Sequence, residues 1–318
     1  MNPSSPLKML GLYGATLLAA GLTVTGRANA DEYAKSYSVT SRPSVHVASD
    51  DGEIRVITSD GARIEFDVKY DKAAWEGAGE QGPFIDSRQS GNSLELTAYV
   101  RAQTTSDWNW RLWNLSGERR LQIEVRIPRN ADLRLETHNG LVDVSSVNGN
   151  VTIRTHNGGV NVAQLSGTLD VDSHNGGITL DAVKGSIKVG THNGRILGNG
   201  LDGKCAAVSH NGAIDIKGRF DSLETSSSNG AVYARAEPGS TMSSTWSIES
   251  RNARIDLTIP TDFKATLDAG TNHGPVTLDL PVALQGGSSR RHVRGSLNGG
   301  GPDLLLRTTN GAIHIHKA

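Results

Sequence analysis

Thr137-His138-Asn139-Gly140 returns as Thr155-His156-Asn157-Gly158, Ser173-His174-Asn175-Gly176, Thr191-His192-Asn193-Gly194 and Ser209-His210-Asn211-Gly212, each copy 18 residues after the last. Ser227-Ser228-Asn229-Gly230 keeps the register and drops the histidine. Between the copies stand Gly149, Gly167, Gly185 and Gly203, again 18 residues apart. Self-similarity at a fixed period marks a stacked repeat architecture. The spacing predicts an all-β chain: a parallel β-solenoid (β-helix) whose 18-residue coil is two nine-residue strand-turn units.

Asn-Gly between alternating runs also signals a β-hairpin, so an antiparallel meander is the rival fold. The period decides against it. In a parallel stack, residues 18 apart lie above one another, and Asn139, Asn157, Asn175, Asn193, Asn211 and Asn229 can bond amide to amide along a column. A meander would give His138 and His156 no reason to match. Asn, with Gly140, Gly158, Gly176, Gly194, Gly212 and Gly230, also suits the left-handed backbone that a coil corner is expected to need.

Alternation assigns the faces. Leu169, Val171 and Ser173 should point inward, and Asp170, Asp172 and His174 outward. Val151, Ile153, Ile187, Val189 and Cys205 share the inward parity. Cys205, the single cysteine, therefore reads as a small interior hydrophobe, and it allows no intramolecular disulfide.

Outward from the repeat, residues 31–130 read as an N-terminal β-strand region of the solenoid. Val45, Val47, Ile54, Val56, Ile64, Phe66 and Val68 alternate there, and a tryptophan-rich loop precedes the strand Leu121 to Ile127. Residues 131–237 are the regular repeat. Residues 238–318 read as degenerate C-terminal coils, with weakened copies at Ser250-Arg251-Asn252-Ala253, Thr271-Asn272-His273-Gly274 and Thr308-Thr309-Asn310-Gly311.

Residues 1–30 read as a signal peptide. Lys8 precedes an apolar stretch from Leu10 to Val24, and Ala28-Asn29-Ala30 predicts a cut after Ala30. The expected location is the periplasm or the exterior, with no transmembrane segment once the signal is removed. The chain carries 32 basic and 33 acidic side chains, and the leader contributes only Lys8 and Arg27 to that balance. A near-neutral chain gives no footprint for nucleic acid.

Three groups are candidate sites. His138, His156, His174, His192 and His210 should stack on an outer face, where adjacent imidazoles could ligate Zn²⁺ or Ni²⁺ with a water or carboxylate. Their competing role is a copied corner residue in the ladder. Trp108, Trp110, Arg111 and Trp113 could stack on sugars, seat a protein, or lid a sheet edge. Arg290, Arg291, His292 and Arg294 form a basic loop that could meet an anionic polymer.

Ile123-Glu124-Val125-Arg126-Ile127-Pro128, then Leu133-Arg134-Leu135-Glu136 running into the first repeat, resembles the DUF4097 family of adhesin-like proteins. The ending from Gly299-Gly300-Gly301-Pro302 to Thr309-Asn310-Gly311-Ala312-Ile313-His314-Ile315 fits the same pattern. The resemblance implies an exported or envelope-associated β-solenoid and carries over no catalytic residues. Gly-x-Ser-x-Gly, His-Glu-x-x-His, Cys-x-x-Cys and P-loop motifs do not occur. The expectation is a non-enzymatic binding or scaffold protein of the cell envelope with no catalytic residues and no obligate cofactor. Its partner would be an envelope protein or glycan. A carbohydrate-active β-helix enzyme and a metal-binding module are the rivals.

Overall fold

The computed structural model describes residues 32–70, 82–100, 121–285 and 288–318. These residues form 25 strands and no helix. In the repeat, Asn148–Thr155 stacks in parallel on Ser166–Ser173, and that strand on Lys184–Thr191. Each residue pairs with the one 18 positions on, as in Val151 with Leu169 and Ile187. A second, shorter face is built the same way from Val142–Ser145, Val160–Ala163 and Ile178–Asp181. The coil is therefore unequal. It has an eight-residue strand on one face and a four-residue strand on the other, instead of two matched halves.

The two faces close on one apolar core. Leu169, Val171 and Ser173 are buried while Asp172 and His174 are exposed, so the parity holds. Val160, Ile178 and Ile196 meet them from the short face. Cys205 is buried in line with Ile187 and Leu223, and burial pushes its thiol pKa up to about 12.

Corner chemistry explains three of the four motif residues. The Ser173 hydroxyl accepts from the Gly176 N–H at 2.9 Å and donates to the Gly158 carbonyl of the preceding coil at 3.3 Å. Thr155, Thr191, Ser209 and Ser227 close their own corners by accepting in the same way. Each asparagine amide donates to its predecessor at 2.6–2.7 Å, without a break from Asn139 through Asn229 to Asn252 and Asn310. A Cβ at Gly176 would sit 1.7 Å from the Gly158 carbonyl oxygen, so only glycine fits. The Asn-Gly corner is thus defined by close approach, and the left-handed backbone expected there lies at the opposite corner. Ser146, Gln164, Ala182 and Gly200 adopt it, with φ from 52° to 62°.

Both ends break the chain order. Ser44–Ser49 lies between Ser93–Tyr99 and Asp132–Thr137. At the other end Asp303–Thr308 lies between Trp246–Ser250 and Ala265–Thr271, and Ile313–Lys317 lies between Ile255–Ile259 and Val276–Leu278. Antiparallel strands then cover the stack. Arg63–Lys69 lies on Leu121–Pro128, Phe84–Ser90 on Ser93–Tyr99 and His292–Leu297 on Ala265–Thr271. Such covering strands interrupt the parallel template that an open solenoid end would offer another chain.

Candidate functional site

The fold does not dictate the second residue of the motif. In stacking order that corner column reads Asp50, His138, His156, His174, His192, His210, Ser228, Arg251 and Thr309. Acidic, hydroxylic, aromatic and basic side chains all occupy it. The five consecutive histidines are therefore a choice beyond what stacking needs.

Those histidines are exposed and stacked. Ring centroids are 4.7, 4.7, 5.0 and 4.7 Å apart, and neighbouring planes agree within 5°. Lone pairs of parallel rings run side by side. A zinc-class ion takes two imidazole nitrogens no more than about 4.2 Å apart. As stacked, neighbouring rings do not converge on one ion, and ligation would need a rotamer change in one of each pair. The column instead presents a row of imidazole edges at one repeat spacing.

Beside the column runs a groove of about 790 Å³. Glu136, Arg154 and Asp172 line it, Tyr99 stands at one end, and Ser226 and Ser228 lie at the other. The same two serines open a second depression lined by Arg251, Arg291, His292 and Arg307, with one acidic side chain, Glu249, among them. The polar groove and the basic cluster are thus continuous on one side of the stack. Arg251 and Arg291 are exposed and make no ion pair among the described residues. Arg307 is held by Asp268 at 2.8 Å, and His292 Nε2 lies 2.8 Å from the same carboxylate. Burial works to raise the Asp268 pKa, but the hydrogen bonds from Arg307 and His292 prevail and hold it below the usual carboxylate range.

The structure therefore brings the histidine column and part of the basic loop together, a juxtaposition that sequence spacing did not reveal. Arg290 and Arg294 are exposed but do not line the groove. Trp108, Trp110, Arg111 and Trp113 lie outside the described residues. Sequence reasoning missed Arg251, whose copy Ser250-Arg251-Asn252-Ala253 carries the signal: arginine stands where the repeat has histidine. It also missed Arg307, which enters through the swapped order of the last coil.

A search of curated proteins found no match. Among solved structures the chain is similar to the "putative adhesin" of Bacteroides fragilis NCTC 9343, at 12% identity over 90% of this chain and 97% of that one, with a TM-score of 0.36. It is also similar to the "putative adhesin" of Parabacteroides merdae ATCC 43184, at 9% identity over 90% and 97%, TM-score 0.36. A third is the "putative lipid binding protein" of Parabacteroides distasonis ATCC 8503, at 12% identity over 91% and 98%, TM-score 0.36. At these identities and scores nothing about activity passes from them to this chain. The sequence pattern is decisive where those structures are not: the profile described as Toastrack DUF4097 matches residues 44–316, and the chain belongs to that family.

Proposed function

We propose that this protein is an exported, non-enzymatic β-solenoid that binds an anionic glycan chain of the cell envelope along the histidine groove. The observation that carries this reading is continuity. Five imidazole edges at 4.7–5.0 Å intervals lead into the cationic depression of Arg251, Arg291 and Arg307. A rigid ladder presents these groups without ordering cost on binding, since the corners are already fixed by paired hydroxyls and amides. A polymer with a repeating polar backbone can meet a periodic face at several points. Carboxylate or phosphate substituents would find Arg251 and Arg291, whose guanidinium groups form bidentate bonds to such anions.

Affinity for a carboxylated or phosphorylated envelope polysaccharide is measured by calorimetry at neutral pH. The comparison is with a variant carrying His156→Ser, His174→Ser and His192→Ser. Serine occupies this column naturally at Ser228, so the variant should melt with the wild type. It should bind at least about tenfold more weakly, one hydrogen bond to a charged group being worth roughly 1.5–3 kcal/mol, and Arg251→Ser with Arg291→Ser should lose most of the remaining affinity. Equal binding by variants and wild type, or binding only to neutral glycans, would overturn the reading.

A further inference from the structure

On the short face, away from the groove, lies a second histidine pair, His314 and His316, with ring centroids 6.0 Å apart and planes inclined by 26°. His314 and His316 project outward from the strand Ile313–Lys317, two residues apart and therefore on the same side. The chain-order swap sets His314 opposite Asp256 on one neighbouring strand and opposite Thr277 on the other. One donor atom from each of Asp256, His314 and His316 lies within 4.8 Å of the other two. His316 Nε2 is 3.9 Å from Asp256 Oδ1.

The Asp256–His316 distance suits a shared ion. A zinc-class ion holds imidazole nitrogen at about 2.0–2.1 Å and carboxylate oxygen at about 2.0–2.2 Å, so donors 3.9 Å apart can share it, and a small side-chain closure brings in the third. The outer contacts also aim the donors. His316 Nδ1 lies 2.7 Å from Asp279 Oδ2. An ionised carboxylate only accepts, so Nδ1 carries a proton, and in the neutral ring Nε2 then offers its lone pair toward Asp256. Carboxylate behind imidazole is the arrangement that fixes tautomer and ring orientation in metal sites. Asp256 is fixed in the same way. Arg254 Nε holds its Oδ2 at 3.0 Å, leaving Oδ1 for the His316 side, and Arg254 is itself held by the Tyr233 hydroxyl at 2.7 Å.

Two other histidines beside carboxylates lack this pattern. At Asp268 a single histidine, His292, faces the carboxylate, and no second imidazole among the described residues joins it. Beside His46, Glu136 is engaged by Arg134 at 2.5 Å. Among the described residues, Asp256, His314 and His316 form the one group of three such donors lying within 4.8 Å of one another.

The geometry points to a divalent transition-metal site, zinc by its mixed imidazole and carboxylate donors. Asp256, His314 and His316 are its ligands, and Asp279 is a positioning residue. Solvent or an external donor completes the shell. The ligands come from strands that are neighbours in the stack and distant in the chain. Binding therefore staples the strand Ile313–Lys317 into its swapped position.

The test uses protein secreted from the full-length chain without a polyhistidine tag. Cobalt(II) is titrated and the visible d–d absorption followed, with zinc(II) as competitor. The expected result is one saturable site that zinc displaces, with saturating zinc raising the melting temperature by about 5 °C. His314→Asn with His316→Asn abolishes both effects. Asp279→Asn leaves all three ligands in place, keeps the cobalt spectrum and weakens affinity about 10- to 100-fold. The His156→Ser, His174→Ser, His192→Ser variant binds as wild type. Absence of saturable binding at micromolar metal overturns the proposal. So does binding that survives loss of His314 and His316 and disappears with the column. Unchanged affinity in Asp279→Asn would remove the positioning role.

Discussion

The middle of the molecule and its two ends follow different rules. From Asp132 to Ser227 every coil lies on its sequence neighbour, and each corner repeats the same bonds: hydroxyl to glycine, amide to amide. A residue recurs there because the coil beneath carries the same one. At the ends a coil is threaded out of order between two others and antiparallel strands cover the stack. Identity with a chain neighbour no longer has value, so charges and histidines diverge in sequence and meet by topology. Repetition here measures structural demand. The informative functional positions are those where repetition is unnecessary yet persists, as in the His138–His210 column, or where it ceases, as at Asp256, His314 and His316.

Two adjacent glycines in one corner should respond most differently to the same substitution. A Cβ at Gly176 would lie 1.7 Å from the Gly158 carbonyl oxygen, whereas one at Gly177 would meet the Arg195 oxygen at 3.4 Å. Gly176→Ala must therefore separate two coils and should cost about 3 kcal/mol or more. Gly177→Ala should stay within about 1 kcal/mol. Denaturant melts of the two variants check this. Similar midpoints would mean that the stack breathes enough to absorb a methyl group, and that the repeated glycine is not a packing requirement.

A smaller effect tests the corner hydroxyl. Ser173 is 1% exposed and serves the Gly176 N–H and the Gly158 carbonyl at once. Ser173→Ala leaves both backbone groups without that partner and should cost about 1–3 kcal/mol. Ser173→Thr should be nearly neutral, since Thr155 and Thr191 hold the same position in the coils on either side. If alanine and threonine variants melt together, the hydroxyl is incidental and the Ser/Thr alternation needs another cause.

The fold was largely legible because its demands are local and periodic. The 18-residue step, the inward parity of Leu169, Val171 and Cys205, and the asparagine column all follow from strand alternation and stacking. Two features were not legible. The unequal coil escaped because Gly149 and its equivalents look like midpoints yet lie inside the longer strand. The swapped ends escaped because no periodicity reports which coil sits on which once the copies decay. The candidate sites divide in the same way. The histidine column could be read from spacing alone. The approach of Arg291 and Arg307 to that groove, and of Asp256 to His314, depends on strand order that the sequence does not display.

A smaller effect is expected at the ends themselves. Each swapped coil is tied to its neighbour by a charged pair. Arg42, just before Ser44–Ser49, reaches Asp132 at 3.0 Å, and Arg307 reaches Asp268 at 2.8 Å. The Arg42 hydrogen bond holds the Asp132 pKa below its ordinary value despite partial burial, with further help from the Asn150 N–H. Asp268 is held low by Arg307 and His292 against the pull of its burial. A carboxylate whose folded pKa is depressed contributes stability above its unfolded value, about 3.9, and loses it as pH falls through the folded value. These ties are therefore fully present at neutral pH and fade below about pH 4. The repeat corners between them are held by hydroxyls and amides that do not titrate. Limited cleavage by an acid protease between pH 4 and 2 should first release fragments from the two ends while residues 132–227 stay intact. Asp132→Asn should expose the N-terminal end already at neutral pH and flatten its acid response. Simultaneous cleavage of ends and middle would show that the threaded coils and the regular stack melt as one unit, whatever their difference in design.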